Sequence, residues 1–251
     1  MNKLILATGS NLGYLNKIGS YLKSIETNSN FDSNYLMFLG DDKLQLDCKK
    51  IEVLNVDIKD IESLNSIFCI QHGEFFKSKE LMDSTNDDDV IFFTDGDMWL
   101  QRPLTDTEIL KFKNFKDDDV FVGYNASPKD TLYDEANRLG YKGYHSKFLN
   151  YDLKNIKIFN TGVLAMNKKT WLKLVKIYIE NYSEIDKTFH HYAKQQWLIS
   201  FIIGTENFNI IEMGYNLHNH THYESPVGTK IDNNGIVTYN NKIVLFKHKW
   251  Y

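Results

Sequence analysis

Proline and cysteine are scarce in this chain of 251 residues, which has 3 Pro and 2 Cys. With so few prolines, and with glycines scattered rather than bunched, no composition shift marks a linker between independent units. One continuous domain over residues 1–251 is expected. Two cysteines, Cys48 and Cys69, are too few for the disulfide framework of a secreted protein, so free, partly buried thiols are expected. The opening MNKLILATGS turns polar too soon for a signal peptide and is far too short to span a bilayer. The expectation is a cytoplasmic protein without a transmembrane segment, with peripheral membrane contact left open. Basic charge is not in excess either: Lys and Arg number 29 against 33 Asp and Glu, a net charge of −4. A pI near 6.1 gives no global pull toward nucleic acid, so any recognition of phosphate must be local.

What is present is apolar and aromatic material, 42% and 14% of the residues, enough for a sizeable core. Lys3 to Thr8 is a short apolar run ending in Thr8-Gly9-Ser10-Asn11, and Leu15, Ile18, Leu22 and Ile25 follow near helical spacing. Runs at Tyr35 to Leu39 and Ile51 to Val56 read as strands, with helical segments around Ile58 to Phe68 and Glu74 to Met82. The rhythm is βαβα, the signature of an α/β fold. Val90 to Thr94 is a continuous apolar strand of the kind buried on both faces of a parallel sheet. Further strands are expected at Val120 to Tyr124, Lys157 to Asn160, Gly162 to Asn167 and Asn209 to Met213. Helices are expected at Trp171 to Tyr182 and Gln195 to Ile203, and a hairpin turns about Asn240-Asn241 between Ile236 to Tyr239 and Lys242 to Phe246. Asn125 to Asp152 is longer than an ordinary connection and is a candidate substrate loop.

Directly after Val90 to Thr94 comes Asp95-Gly96-Asp97. Two carboxylates separated by one small residue can turn toward one hard divalent cation, Mn²⁺ or Mg²⁺, while glycine lets a diphosphate approach the backbone. The same tripeptide is a good surface turn. Against that stand the apolar strand Val90 to Thr94 before it and Met98-Trp99-Leu100 after it, which place it at a buried carboxyl strand end, where open α/β sheets bind ligands. A metal there would act as a Lewis acid on a departing diphosphate.

At this point the sequence resembles the metal-dependent glycosyltransferases of GT-A fold, most closely the retaining, family 8-like branch with glycogenin and bacterial galactosyltransferases. The resemblance runs through most of the chain, in order: VIFFTDGDMWLQRPL, then Phe159-Asn160-Thr161-Gly162-Val163, Gln195-Gln196 on a helix, Tyr215-Asn216-Leu217, and a last strand followed by His248. It implies a Rossmann-like, mixed, mostly parallel sheet flanked by helices. A nucleotide-binding half would occupy residues 1–100 and an acceptor-binding half residues 101–251.

Position by position, the resemblance implies that Thr8, Gly9, Asn11 and Tyr14 hold the nucleotide base and ribose, with Tyr14 available for stacking. Thr8 to Asn11 also reads simply as a strand-to-helix turn with a capping residue. Lys79, or else Lys77, stands where the family carries a basic donor contact. Asn160, Thr161 and Gly162 look like the segment lining the donor sugar and acceptor cleft. Gln195-Gln196 replaces the Asp-Gln of many relatives. An amide can hydrogen-bond sugar hydroxyls but cannot act as a base, and no other carboxylate stands out for that role among Asp130, Asp134, Glu135, Asp152 and Asp186.

After the last strand, Ile243 to Phe246, the family uses a histidine as third metal ligand, which implies His248. Lys249 would then contact a phosphate, with Trp250 as a wall. His218, His220 and His222 form an alternating run that can share a face, and one of them is the alternative third ligand or part of a zinc site. Together these features imply transfer of a hexosyl residue from a nucleotide-diphosphate sugar, UDP favoured over GDP, to a hydroxyl of a glycan, lipid-linked sugar or protein. A nucleotidyltransferase and a catalytically silent glycan- or nucleotide-binding protein are the competing readings. The N-terminal loop, which has no Lys or Arg between Thr8 and Gly13, counts against the former, and Gln195 motivates the latter.

Overall fold

The structure is a computed structural model that describes residues 2–40, 43–56, 81, 83–124, 129–138, 148–188, 194–220 and 226–248. The helices expected around Ile58 to Phe68 and over Glu74 to Met82 lie almost wholly outside the described residues, as do Cys69 and much of the candidate loop. Cys48 carries a free, half-buried thiol.

Seven strands form the main sheet: β1 (Leu4–Asn11), β2 (Ser33–Leu39), β3 (Glu52–Val56), β4 (Val90–Thr94), β6 (Asp119–Tyr124), β7 (Phe159–Asn167) and β8 (Asn209–Glu212). Their order is β3-β2-β1-β4-β7-β6-β8. Strands β3, β2, β1 and β4 are parallel, β7 runs against both β4 and β6, and β8 is parallel to β6, so β7 alone opposes the rest. The sheet is mixed and mostly parallel, as expected for the α/β class. Every residue of β4 and β7 is buried, as central strands covered on both faces must be.

Two apolar layers cover the sheet. On one face α4 (Lys168–Thr188) and α5 (Lys194–Thr205) pack Trp171, Tyr178, Trp197 and Phe201 against Ile91, Phe93, Leu164 and Met166. The indole N–H of Trp171 donates to the Ile91 carbonyl at 3.0 Å, so this large ring is buried without an unpaired donor. On the other face α1 (Leu15–Asn28) and α2 (Asp106–Lys113) bring Ile18, Tyr21, Ile25 and Phe112 onto Leu4, Leu6, Phe92 and Phe121. The deepest stripe of α1 is Ile18, Tyr21 and Ile25, with Leu15 and Leu22 only half-buried at its margins. Helix α2 starts at a capping box in which Thr105 and Glu108 bond reciprocally, and Arg102 clamps Glu108 with two 2.8 Å bonds.

Several local expectations change. Strand β1 runs on through Thr8 to Asn11, because β2 continues beside it to pair Asn11 with Leu39. The turn into α1 is a short 3-10 helix, Leu12–Tyr14, capped by the Asn11 side chain. The two segments expected on either side of Thr161 are one strand, β7, whose register against β6 shifts at Val122/Gly123. Helices α2 and α3 (Leu132–Arg138) were not anticipated, and α3 falls inside the candidate loop.

The last part of the chain makes two small sheets. Strands β10 (Thr229–Ile231), β11 (Val237–Tyr239) and β12 (Lys242–Ile243) form one. The turn between β11 and β12 places Asn240 at φ 49° and Asn241 at φ 62°, the paired left-handed geometry of a two-residue hairpin. In the other, β13 (Phe246–His248) lies between β5 (Met98–Leu100), antiparallel, and β9 (His218–His220), parallel. Ile243 and Phe246 therefore belong to different sheets, and His248 lies within a strand rather than after one. Among the described residues no helix is long and apolar enough to cross a membrane.

Candidate metal centre and its surroundings

The carboxyl end of β4 is tied down from two sides. Thr8 is buried and its hydroxyl donates to the Thr94 carbonyl at 2.8 Å, and the Asp95 N–H donates to the Gly162 carbonyl at 2.9 Å. Below, the hydroxyls of Tyr21 and Thr94 are hydrogen-bonded. Gly96 lies over α1: a Cβ there would stand 2.5 Å from Ile18 Cγ2 and 4.0 Å from the Gly9 carbonyl oxygen. Glycine is needed for this close approach.

Onto this frame β13 delivers His248. Its backbone pairs with Met98, the residue directly after Asp97, so the register of two short strands sets the imidazole beside the motif. His248 Nε2 is 3.4 Å from Asp97 Oδ2, and ligand atoms of Asp95, Asp97 and His248 all lie within 4.8 Å of one another. Asp97 Oδ1 is buried with no hydrogen-bond partner among the described residues. Two carboxylates, an imidazole and a buried, unbonded oxygen suit a divalent cation. Burial, then the neighbouring Asp97, pushes the Asp95 carboxyl up to about 7, with His248 pulling the other way. Burial also pushes the Tyr21 phenol up, helped by both aspartates. A cation would relieve this crowding of negative charge.

Gly162 faces the histidine. A Cβ would meet His248 Cε1 and Asn160 Oδ1, each at 2.9 Å, so the absence of a side chain makes room for the ring. Asn160 is buried, and its Oδ1 accepts from the Gly162 N–H at 2.9 Å. Its amide reaches Gln196 Oε1 at 3.5 Å. Gln195 and Gln196 open α5; Gln195 is buried, and its Nε2 has no hydrogen-bond partner among the described residues. Thr161 is buried in β7.

Of the expected nucleotide residues, Thr8 and Gly9 lie beside the motif. Gly9 follows Thr8 in β1, the Asn11 side chain accepts from the Tyr14 N–H at 3.1 Å, and Tyr14 is exposed beneath the Lys17 ammonium, 4.7 Å from its ring. Lys77, Lys79, Lys249, Trp250 and His222 lie outside the described residues. His218 is buried with its ring 5.7 Å from that of His248, and burial, then His248, holds its pKa well below the usual histidine value. His220 pairs along the backbone with His248. Among the described side chains, the cluster with the aspartates contains His248 and not His218; the His220 side chain lies outside the described residues.

Four of the five carboxylates weighed as bases serve local structure, and the Asp186 side chain lies outside the described residues. Asp130 and Glu135 both pair with Arg138, Asp134 caps the start of α3 through Thr131, and Asp152 bonds Asn155. Tyr21 and Gly123 escaped the sequence reading. The helical spacing of Ile18, Tyr21 and Ile25 was the one available signal, for Tyr21.

Two solved structures of the galactosyltransferase LgtC share this architecture over 99% of the chain. The complex with donor and acceptor sugar analogs matches with a TM-score of 0.56 at 14% identity, over 87% of its own length. An active-site glutamine-to-glutamate variant matches with a TM-score of 0.59 at 15% identity, over 88% of its length. This chain has the GT-A glycosyltransferase fold. The Asp95, Asp97 and His248 cluster lies in that GT-A frame beyond the carboxyl end of a central parallel strand, where a ligand crevice is expected. No protein-family model and no curated protein matches the sequence.

Proposed function

We propose that this chain is a metal-dependent glycosyltransferase that moves a hexosyl residue from a nucleotide-diphosphate sugar, UDP-linked in preference to GDP-linked, to a hydroxyl of a glycan or glycoconjugate. The observation that carries the reading is the cluster of Asp95, Asp97 and His248 at the carboxyl end of β4 in a GT-A fold. Asp95, Asp97 and His248 would hold Mn²⁺ or Mg²⁺, and such an ion, when bound, neutralises charge on the departing diphosphate. In transfer, the bond from the anomeric carbon to the diphosphate oxygen breaks, a bond to the acceptor oxygen forms, and the acceptor hydroxyl loses its proton.

The chain's own residues prepare that exchange. Residues 1–100 supply Gly9, Asn11 and Tyr14 for the nucleotide, and residues 101–251 supply the sugar and acceptor side. Asn160, Gln195 and Gln196 position the sugar through amide groups. LgtC has an active-site glutamine. By the resemblance alone, Gln196 would match the glutamine, and Gln195 the aspartate, of the Asp-Gln pair in many relatives. The buried, unbonded Nε2 of Gln195 offers a donor where a carboxylate would offer only acceptors, which favours a sugar oxygen as its partner. Retention of anomeric configuration follows from the resemblance alone.

Calorimetry of UDP and GDP with and without Mn²⁺ tests the reading. Binding of UDP that needs the metal, and loses at least about a hundredfold in Asp97→Ala, supports it. Parent-like behaviour of Asp97→Ala would sink it. Gln195 also motivates a second reading, a binding protein that has lost catalysis. Release of free sugar from the donor without acceptor separates the two: slow hydrolysis favours the transferase, and intact binding with no hydrolysis or transfer favours the binding protein.

A further inference from the structure

Three tyrosines from distant segments meet beside the candidate metal centre. Tyr124 ends β6, Tyr215 follows β8 and Tyr239 ends β11. The rings of Tyr124 and Tyr215 lie 4.9 Å apart at 51°, and those of Tyr215 and Tyr239 lie 5.4 Å apart at 57°. All three are half-buried and none belongs to either apolar core. Glu212, the last residue of β8, accepts from Lys157 Nζ at 2.5 Å, and its carboxylate lies near enough to Tyr124 to help burial push that phenol's pKa up. The cluster thus presents half-open aromatic surface edged by a carboxylate, an ammonium and phenol hydroxyls.

A pyranose ring has the complementary chemistry, a C–H face that packs on an aromatic ring and a rim of hydroxyls that take hydrogen bonds. Tyrosine supplies both kinds of contact at low entropic cost. The location adds direction. Strands β6 and β8 lie two and three strands from β4 in the sheet, which at the usual spacing is roughly 10 and 14 Å. The packing between is continuous: buried Gly123, next to Tyr124, abuts buried His218, and the His218 ring lies 5.7 Å from that of His248. A ring at the metal centre and a ring on the tyrosines would thus be separate units along one path.

We infer that Tyr124, Tyr215 and Tyr239, with Glu212, form a second saccharide subsite that holds a ring of the acceptor removed from the hydroxyl that reacts. The acceptor is therefore an oligosaccharide or its conjugate rather than a free monosaccharide. The assignment of this ring to an acceptor rests on the glycosyltransferase reading above.

Ligand-observed NMR and calorimetry on the whole chain test it with glucose, galactose and N-acetylglucosamine beside cellobiose, lactose, chitobiose and their trisaccharides. The parent is expected to bind at least one longer saccharide about tenfold more tightly than its monosaccharide, as an added aromatic contact of ordinary strength gives. Tyr215→Ala and Tyr239→Ala should bring that ratio to within about twofold of one, while Tyr215→Phe, which keeps the ring, should retain most of it. Thermal melting confirms that each variant is folded. The inference is overturned if no longer saccharide is preferred, or if folded Ala variants keep the parent's ratio. Loss of metal-dependent UDP binding with the saccharide preference intact would instead remove the transferase reading and leave a glycan-binding site.

Discussion

The two strands that flank the candidate metal are built in opposite ways. β4 is anchored along its length by parallel β1 and antiparallel β7, and every side chain is buried. β13 has three residues and is held by two equally short partners, β5 and β9. The carboxylates thus follow a strand anchored over five residues on both sides, and the imidazole comes from a largely buried strand of only three. A strand with few ladder bonds opens locally more readily than one anchored along its length. Damage near the aspartates should therefore register as lost stability, and damage near the histidine as lost metal affinity.

Removing the imidazole is the hardest test of that contrast. His248→Ala should weaken Mn²⁺ binding by at least about a hundredfold while leaving the melting temperature within a few degrees of the parent, read by calorimetry and circular dichroism. A collapse of the fold in this variant would break the comparison. A matched pair of glycine substitutions sharpens it. Gly96→Ala drives a methyl into Ile18 and should cost about 1–3 kcal/mol of stability in denaturant titration. Gly162→Ala presses instead on His248 and Asn160, and should lower metal affinity about tenfold with a smaller change in stability.

Proton competition probes the aspartate side. The Asp95 carboxyl is pushed up to about 7, so below that pH a cation must displace its proton. Mn²⁺ affinity should fall up to about tenfold for each pH unit below 7 and level off above it. A flat profile between pH 5 and 8 would mean that Asp95 is not a ligand. The smallest expected effect is Thr8→Val, which removes the bond from β1 to the Thr94 carbonyl and should cost about 1 kcal/mol, with metal affinity little changed.

The same asymmetry governs what could be read from the sequence. Val90 to Thr94 announces β4 with the bounds the structure gives it, because four large apolar residues and a β-branched threonine in a row leave few other choices. The Asn240-Asn241 turn is legible because both residues tolerate positive φ. By contrast, β5, β9 and β13 have three residues each, too few for any periodicity, and their pairing joins segments far apart in the chain. His248 was named through resemblance, with its strand placed too early. The opposed direction of β7 could not be read, since burial on both faces looks the same for either direction. The tyrosine cluster was invisible for a related reason: Tyr124, Tyr215 and Tyr239 share no local pattern and meet only through the fold.

The pairing of His248 with Met98 also bears on how the molecule is made. Most of the chain separates these partners, so their contact closes one of the longest loops in the fold. Such distant pairings tend to form late, after local helices and hairpins are in place. A folding intermediate with β4 already docked would hold both aspartates but lack the imidazole. A cation that bridges Asp97 and His248 would then act as a clasp on the finished fold, slowing release of the C-terminal segment and shielding it from proteolysis.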